Sequence, residues 1–448
     1  MILDRIKGKF TYTRFIGFGF IAIILIGAIL LSCPFSSREG EWTPFVDSLF
    51  TSTSATCVTG LVVYDTYTHW STVGQVIILL MIQVGGIGFM TVASLVSMAL
   101  KKQIGIKERH LLMQSAGNTE MGGILGLIKR MALLTFTFEG AGALVLSFTF
   151  CKEMGFFRGV YNAVFHSVSA FCNAGFDLMG RYEQFSSLTR YYDSWAVLLP
   201  IALLIIFGAT GFLVYNDLWT AKFNVKKVHL HTKIVLVVTA FLLVFGTILI
   251  LIMEKNYTLK GLPLDKQILL SFFQAVTPRT AGFNAVDLGQ MSEGSSFLTI
   301  VYMFIGGNPG GTAGGVKTTT VFVLVMAVVA VIRHSNGVNV FKRRIDESTL
   351  RQAGAIATVY MLMFSVATIS LLIIEPISIK EALFEVVSAG GTVGLSLGLT
   401  PSLQVASKII IMLLMYSGRV GILSLIFMFA EKIHGTETNR PTEKILIG

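Results

Sequence analysis

The twelve residues LFTSTSATCVTG, from Leu49 to Gly60, form a pattern that recurs three times later in the chain. The later copies are VFHSVSAFCNAG ending at Gly175, SFFQAVTPRTAG ending at Gly282 and LFEVVSAGGTVG ending at Gly394. A phenylalanine stands ten residues before each glycine, and a Ser-Ala pair occupies the same offset in the first, second and fourth copies. Self-similarity at a fixed period indicates a repeat architecture. These four windows therefore predict four equivalent structural units.

The composition of the 448-residue chain assigns most of it to a membrane. Apolar residues make up 53%, charged residues 13%, and the mean hydropathy is +0.73, which is typical of chains that lie largely in lipid. In each unit the segment before the window is too short and too polar to cross a bilayer, and such segments are tolerated only when buried in protein or lining water. The predicted fold is an all-α polytopic membrane protein with eight transmembrane helices, arranged as four helix–pore loop–helix (M1-P-M2) repeats around one central pore.

The repeats and the tail have predicted boundaries. The repeats cover residues 10–105, 122–225, 230–335 and 351–432, and a cytoplasmic tail covers 433–448. The net charge is +10, and Lys and Arg concentrate in the loops on the side of the two termini. This bias predicts that both termini face the cytoplasm. The basic loops Lys101–Arg109, Lys222–Lys233 and Arg333–Arg351 also offer a surface for an acidic partner, whereas no nucleic-acid binding is predicted.

The windows have a chemical meaning because glycine permits the sharp turn that points successive carbonyl groups at one axis. Rings of such carbonyls replace the hydration shell of a cation. The windows, their spacing and the eight-helix layout resemble the Ktr/Trk/HKT superfamily of potassium transporters, and the chain length is most similar to the Ktr-type membrane subunit. The resemblance implies that one chain forms a whole pore for potassium uptake.

The resemblance also assigns a selectivity filter by position. Its residues are Thr56, Cys57, Val58, Thr59, Gly60, Cys172, Asn173, Ala174, Gly175, Arg279, Thr280, Ala281, Gly282, Gly391, Thr392, Val393 and Gly394. Of the TVGYG pattern of tetrameric potassium channels, only the fourth window retains most, and the other three retain mainly the glycine. This departure implies weaker selectivity than in a potassium channel.

A glycine-rich stretch interrupts the second helix of the third repeat, and the equivalent stretches of the other repeats are expected to be less broken. It contains Pro309, which cannot continue a helix, and Val316 separates its last glycine from the lysine that a phosphate-binding P-loop requires. Glycines can serve close helix packing, but unpaired backbone at membrane depth must line water. The resemblance makes residues 305–317 an intramembrane gating loop. The gate residues are Gly306, Gly307, Asn308, Pro309, Gly310, Gly311, Thr312, Ala313, Gly314, Gly315 and Lys317.

Several charged residues lie inside apolar segments or windows, where charge marks function by default. Arg419, predicted to lie mid-helix in the last M2, and Lys317 are predicted to face the pore. Glu139 is predicted to be either their counter-charge or a hydrogen-bond partner between helices. Arg279, inside the third window, is predicted to be a donor that supports the filter carbonyls from behind.

The sequence thus predicts gated, not pumped, potassium uptake across the cell membrane, with sodium as a second candidate ion. No catalytic group, bound cofactor or metal site is predicted beyond the permeating cation, and the four cysteines are interpreted as free thiols. The alternative is a cation-coupled secondary transporter with alternating access, although such transporters usually show two inverted repeats. The resemblance further implies a homodimer in contact with membrane lipids, regulated by a cytosolic ring of nucleotide-binding RCK-type subunits.

Overall fold

The computed structural model describes residues 12–100, 123–222, 224 and 226–429. In these residues each repeat has the same order of elements: a long helix, a short pore helix, a window and a broken second helix. The predicted basic loop Lys101–Arg109 and the predicted tail 433–448 lie outside the described residues. The four-repeat, mostly helical architecture that the windows predict is confirmed.

The first two repeats end in sharply bent M2 segments. The first repeat consists of α1 (Tyr12–Ser32), the pore helix α2 (Phe45–Thr56), α3 (Thr72–Ile87) and α4 (Phe89–Ala99). The second consists of α5 (Ile124–Met154), the pore helix α6 (Phe156–Phe171), α7 (Trp195–Thr210) and α8 (Phe212–Thr220). The helix axis turns by 97° at Gly88 and by 83° at Gly211. Both glycines have a φ near the left-handed region, +90° and +96°, which glycine adopts without the penalty of a Cβ.

The M2 segment of the third repeat is interrupted over many residues, and that of the fourth repeat is broken at a single glycine. The third repeat consists of α9 (Leu230–Glu254), the pore helix α10 (Leu264–Val276), α11 (Glu293–Phe304) and α12 (Thr318–Ile332). A short hairpin of β1 (Asn339–Val340) and β2 (Arg343–Arg344) follows. The fourth repeat consists of α13 (Glu347–Ile374), the pore helix α14 (Ile379–Gly391), α15 (Val405–Val420) and α16 (Ile422–Phe429). Gly421, between the last two helices, has a φ of +88°.

The first helix of each repeat is unbroken, whereas the second is divided into two shorter helices. Among the described residues four helices, α1, α5, α9 and α13, are long and apolar enough to cross a membrane, and each bent pair of the first two repeats qualifies as one further span. Only the third M2 loses helix over many residues, as the sequence predicts. The sequence nevertheless underestimates the other breaks, because a single glycine at positive φ is enough to redirect the helix through a large angle.

The phenylalanines of the windows pack the pore helices into the interior of the protein. The phenylalanines that share one offset, Phe50, Phe165 and Phe384, are almost fully buried, and Phe272 is partly buried. Phe50 and Phe384 pack in a core that also includes the long helices of their own repeats, and Phe272 packs in one that includes α9. Phe165 packs instead against residues of α1 and α3 in the first repeat.

Candidate ion-conduction site

Each window leaves its pore helix through the same backbone conformation. The residue two positions before the final glycine has a positive φ in all four repeats: Val58 (+57°), Asn173 (+58°), Thr280 (+75°) and Thr392 (+52°). The final glycines also have positive φ: Gly60 (+95°), Gly175 (+71°), Gly282 (+80°) and Gly394 (+94°). Non-glycine residues in this region are strained and cluster at functional sites. Two residues assigned to the filter, Thr56 and Gly391, are still the last residues of their pore helices.

A hydroxyl group in each pore-helix terminus fixes this turn. Ser54 and Ser388, from the repeated Ser-Ala pair, accept hydrogen bonds from the backbone N–H of Gly60 (3.0 Å) and Gly394 (3.1 Å). In the other two repeats a hydroxyl donates instead to the carbonyl of the residue after the glycine. These pairs are Ser169 with Phe176 and Thr277 with Phe283. The repeated hydroxyl in the sequence pattern therefore holds the window backbone in place.

The four final glycines, here called the ring glycines, form a closed ring. A Cβ atom added to any of them would meet the backbone carbonyl oxygen of the residue before another ring glycine. The pairs are Gly60 with Ala174 (2.5 Å), Gly175 with Ala281 (2.8 Å), Gly282 with Val393 and Gly394 with Thr59. Each window thus contacts the next one along the chain, and the fourth contacts the first. The carbonyl oxygen before each ring glycine therefore lies against the ring glycine of a neighbouring window.

A buried ion pair joins the first and last repeats at the seam of this ring. Lys408 Nζ lies 2.7 Å from Asp47 Oδ1, and the two side chains are only 10% and 12% exposed. Tyr64 donates a hydrogen bond of 3.0 Å to the other carboxylate oxygen. Lys408 lies in the first turn of α15, where the helix dipole disfavours a cation. Its location is explained by the partner, which binds the two ends of the repeat series together.

A cavity of about 500 Å³, here called the outer cavity, opens onto the ring. It is lined by all four ring glycines and by the carboxylates of Asp65, Asp177 and Asp287. Burial raises the pKa of Asp177 to about 7, with a smaller contribution from Asp65 in the same direction, and the N–H of Met179 opposes the shift. Asp177 is therefore partly protonated at neutral pH, and the outer cavity places three carboxyl groups beside the ring.

Residues Gly306–Gly315, here called the glycine-rich loop, lie between α11 and α12 and approach the windows at Thr280, Gly391 and Thr392. Thr312 N–H donates to Gly208 O (3.2 Å), and Gly310 O accepts from Phe212 N–H (2.9 Å). These bonds tie the loop to the M2 break of the second repeat. Gly315 N–H donates to Gly418 O (3.3 Å), beside the M2 break of the fourth repeat. The loop is thus held by the interrupted backbone of its neighbours.

Asn308 anchors the beginning of the loop. Its side-chain amide donates to Ala209 O (3.1 Å) and to Thr239 Oγ1 (3.2 Å), and its amide oxygen accepts a hydrogen bond from Thr318. Thr239 belongs to α9 and Thr318 is the first residue of α12. One buried side chain therefore connects the two ends of the interruption to two neighbouring helices.

Comparison with known proteins identifies the family. The family model described as TrkH, cation transport protein, matches residues 19–439. The chain belongs to the TrkH family of cation transport proteins. It is similar to the potassium/sodium uptake protein NtpJ of Enterococcus hirae, with 39% identity over 99% of each chain. It is also similar to the Ktr system potassium uptake protein B of Bacillus subtilis, with 39% identity over 94% of each chain.

A solved structure supports the fold of this TrkH-family protein. The potassium transporter TrkH of Vibrio parahaemolyticus superimposes with a TM-score of 0.72 at 19% identity, covering 92% of this chain and 84% of that chain. Its membership of a family of cation transport proteins makes the chain a membrane transporter and not an enzyme, as the sequence predicts. Among the described residues no group of His, Cys, Asp and Glu is arranged to hold a metal ion.

In this TrkH-family chain, Arg419 and Lys317 line a cavity of about 250 Å³ beneath the loop, here called the inner cavity. Arg419 donates to Thr312 O of the loop and to the carbonyls of Gly85 and Gly86 in α3. Lys317 donates to Ala313 O (2.7 Å) and Gly314 O (3.2 Å). The prediction that Arg419 lies in the middle of a helix is wrong, because α15 ends at Val420, one residue later.

Glu139 is a hydrogen-bond partner between helices, the second of its two predicted roles. Its carboxylate accepts from Gln83 Nε2 at 3.0 and 3.2 Å, and the thiol of Cys172 lies 3.7 Å away. It forms no ion pair with Lys317 or Arg419 in the part of the chain that the structure describes. It links α3 of the first repeat to α5 and the window of the second.

The prediction for Arg279 is wrong in its physical detail. The side chain is buried, 3% exposed, but its Nε and Nη2 atoms have no hydrogen-bond partner. A scaffold donor would bond to backbone carbonyls, whereas these two nitrogens bond to none. The predicted supporting role of Arg279 therefore lacks hydrogen bonds at these two atoms.

Proposed function

We propose that this protein takes up potassium ions across the cell membrane through a channel-like pore whose selectivity filter is the ring of windows. The observation that carries the proposal is the closed contact of the four ring glycines with the carbonyl groups of neighbouring windows. Four backbones on one axis offer oxygen atoms that substitute for the hydration shell of a cation. Relatives that are named as potassium uptake proteins support potassium as the ion, and sodium is a second candidate.

The conduction path has three parts in this proposal. Cations collect in the outer cavity, where the carboxylates of Asp65 and Asp287 lower the free energy of a positive ion. They lose water at the ring and then meet the glycine-rich loop, which acts as the gate. The membrane potential drives uptake with about 2.3 kcal/mol per charge per 100 mV, both termini being cytoplasmic.

The geometry favours a pore over alternating access. Secondary transporters usually bind substrate between two inverted repeats, whereas here four repeats with the same order of elements meet at a single closed ring. We further propose a homodimer in which each chain contains its own pore.

Ion flux into liposomes that contain the purified chain tests this function. We expect potassium uptake driven by an imposed potential, at a rate that rises with potential and needs no counter-ion gradient. Potassium should be preferred to sodium, because the ring is built from fixed carbonyl groups. Flux that requires a proton or sodium gradient, and that stops when the gradient collapses at constant potential, would favour the secondary transporter. Empty liposomes serve as the blank.

We also propose that a cytosolic nucleotide-binding ring of RCK-type subunits regulates the gate through the β1–β2 hairpin. Two relatives carry the name Ktr system potassium uptake protein B, a name that implies a multi-component system. Val338 and Val340 of the hairpin are buried against Ile234 of α9, with Phe322 and Met326 of α12 packed alongside. Because α12 follows the loop directly, displacement of the hairpin would move the carboxyl end of the gate.

The hairpin tip is the predicted contact for this regulator. Phe341 and Lys342 have positive φ, +48° and +63°, so the turn projects both side chains, and Arg343 is also exposed. Charge reversal by Lys342→Glu and Arg343→Glu should weaken ring binding at least about tenfold and leave basal flux unchanged, because exposed charges attract over about 8 Å at physiological ionic strength. Arg344 is left intact because it pairs with Glu347 (3.1 Å). Co-purification and nucleotide-dependent flux are the measurements.

The matched control reverses two charges at the other end of α9, Lys255→Glu and Lys260→Glu. These residues are exposed and remote from the hairpin, so ring binding should not change. Undiminished co-purification and an unchanged nucleotide response in the hairpin variant would remove the hairpin from the coupling path.

A further inference from the structure

One position of the windows differs in charge among the four repeats. Three residues before the ring glycine stand Cys57, Cys172 and Gly391 in the first, second and fourth windows, and Arg279 in the third. The windows share their backbone turn, so a neutral residue satisfies the fold at this position. The third window therefore carries a positive charge that the turn itself does not require.

The charge of Arg279 is buried without compensation. Its guanidinium has two nitrogens without an acceptor, and it forms no ion pair with any carboxylate of the described residues. Gln274, in the pore helix before it, likewise has both side-chain polar atoms buried and unpartnered. The hydroxyl of Tyr302 in α11, which is near enough to act electrostatically on Arg279, donates its proton to Leu242 O (2.8 Å). Nothing in the described chain neutralises this cation.

An uncompensated charge in a protein interior acts on any ion nearby. Solvent screening is weak there, so a cation in the ring experiences the repulsion of Arg279 more strongly than it would in water. Keeping such a charge in the membrane is costly, and this cost is explained if the charge serves conduction. Conduction requires binding that is strong enough for entry and weak enough for exit.

We propose that Arg279 sets the affinity of the filter: its positive charge weakens cation binding in the ring and speeds release toward the inner cavity. The effect is electrostatic, so it applies to potassium and sodium alike and leaves their ratio nearly unchanged. This inference rests on the proposed function, because it requires that the ring binds the permeating ion.

The test replaces Arg279 by the residue of the first two windows, Arg279→Cys, with Arg279→Lys as the matched control that keeps the charge. Potassium and sodium uptake are measured in liposomes at fixed potential. In the cysteine variant the KM for potassium should fall about tenfold, an energy change of about 1.4 kcal/mol, and the maximal rate should fall as release slows. The KM for sodium should fall in parallel, and the lysine variant should resemble wild type. Gln274→Met, which changes no charge, should leave both KM values within about twofold.

Three results would overturn the proposal. Equal KM values in Arg279→Cys and Arg279→Lys would mean that the charge does not act on the ion. Loss of discrimination between potassium and sodium in Arg279→Cys would make Arg279 a structural support of the ring. A wild-type KM that depends on whether chloride or gluconate is present would mean that a bound anion already neutralises the charge.

The experiment distinguishes a folding defect, a failure of this inference and a failure of the proposed function. Arg279→Gly, which copies the fourth window, replaces the cysteine variant if that variant does not fold, and failure of both would assign Arg279 a structural role and overturn the inference. If wild type conducts potassium selectively while these variants behave like wild type, only the inference fails. If wild type itself shows no potential-driven flux, the proposed function fails.

Discussion

Gly394→Ser is expected to lower the preference of the transporter for potassium over sodium by at least about tenfold, or about 1.4 kcal/mol. Gly394 has a φ of +94°, and a residue with a Cβ at such a φ is strained by about 1–3 kcal/mol. An added Cβ would also overlap the carbonyl oxygen of Thr59 in the first window. That oxygen belongs to the ring, so the serine displaces a group that is proposed to bind the ion. Competitive uptake of potassium and sodium in liposomes is the measurement.

The four ring glycines should rank by how closely they approach the neighbouring window. The clearance is greatest at Gly175, 2.8 Å to Ala281 O with a φ of +71°, so Gly175→Ser should be the mildest variant and Gly394→Ser the most severe. Gly140→Ser in α5 is the control, because nothing lies within 4 Å of its added Cβ, and it should retain wild-type selectivity. Identical potassium and sodium kinetics in all four ring variants and wild type would exclude these glycines from the filter.

Much of the fold follows from the sequence because the repeat pattern encodes equivalent local interactions. The Ser-Ala pair predicted equivalence, and Ser54 and Ser388 make the same hydrogen bond to the final glycine. The buried phenylalanines Phe50 and Phe384 reflect the same packing requirement. The other two copies keep a hydroxyl at the end of the pore helix, Ser169 and Thr277, although there it donates to the carbonyl after the glycine. The repeat therefore made the position of the turn predictable, but not the partner of each hydroxyl. The M2 bends were harder to predict, because one glycine in an apolar helix usually signals only close packing.

The site was less predictable because its contacts cross between repeats. Asp47 and Lys408 lie far apart in the chain, and neither belongs to a window, so their ion pair gave no local signal. A usable signal did exist for the outer cavity: Asp65 and Asp287 each stand five residues after a ring glycine, and both line it. The partners of Arg419 are backbone carbonyls in another repeat, which side-chain identities do not reveal.

The loop and Arg419 together form a cross-link among all four repeats. Arg419 of the fourth repeat binds the loop of the third at Thr312 O and the first repeat at Gly85 O. The loop in turn binds the second repeat at Gly208 O. A segment that is held by hydrogen bonds at its edges, and contains several glycines with few steric preferences, can move when a small number of these bonds break. This arrangement is suited to a gate, and it predicts what happens when the central part is removed.

Deletion of residues 310–315 is expected to raise basal potassium flux about tenfold or more and to abolish regulation by any partner. A tenfold rise corresponds to a loss of about 1.4 kcal/mol in the free energy that favours the closed gate. The deletion removes the bonds of Thr312 to Gly208 and Arg419 and that of Gly315 to Gly418. It retains the anchor of Asn308 to Ala209 and Thr239, so α11 and α12 keep their positions. Flux in liposomes at fixed potential, normalised to the amount of folded protein, is the measurement.

A variant with a smaller change at the same cross-link should have an intermediate effect on flux. Arg419→Gln keeps the whole loop but removes the cationic cross-link to Thr312, Gly85 and Gly86, so its basal flux should lie between wild type and the deletion. Selectivity for potassium should survive in both variants, because neither touches the ring glycines. Increased flux with lost selectivity would indicate damage to the filter and not an opened gate. A folded deletion variant that conducts less than wild type would show that the loop assists conduction, and the gate would then have to lie at the M2 bends.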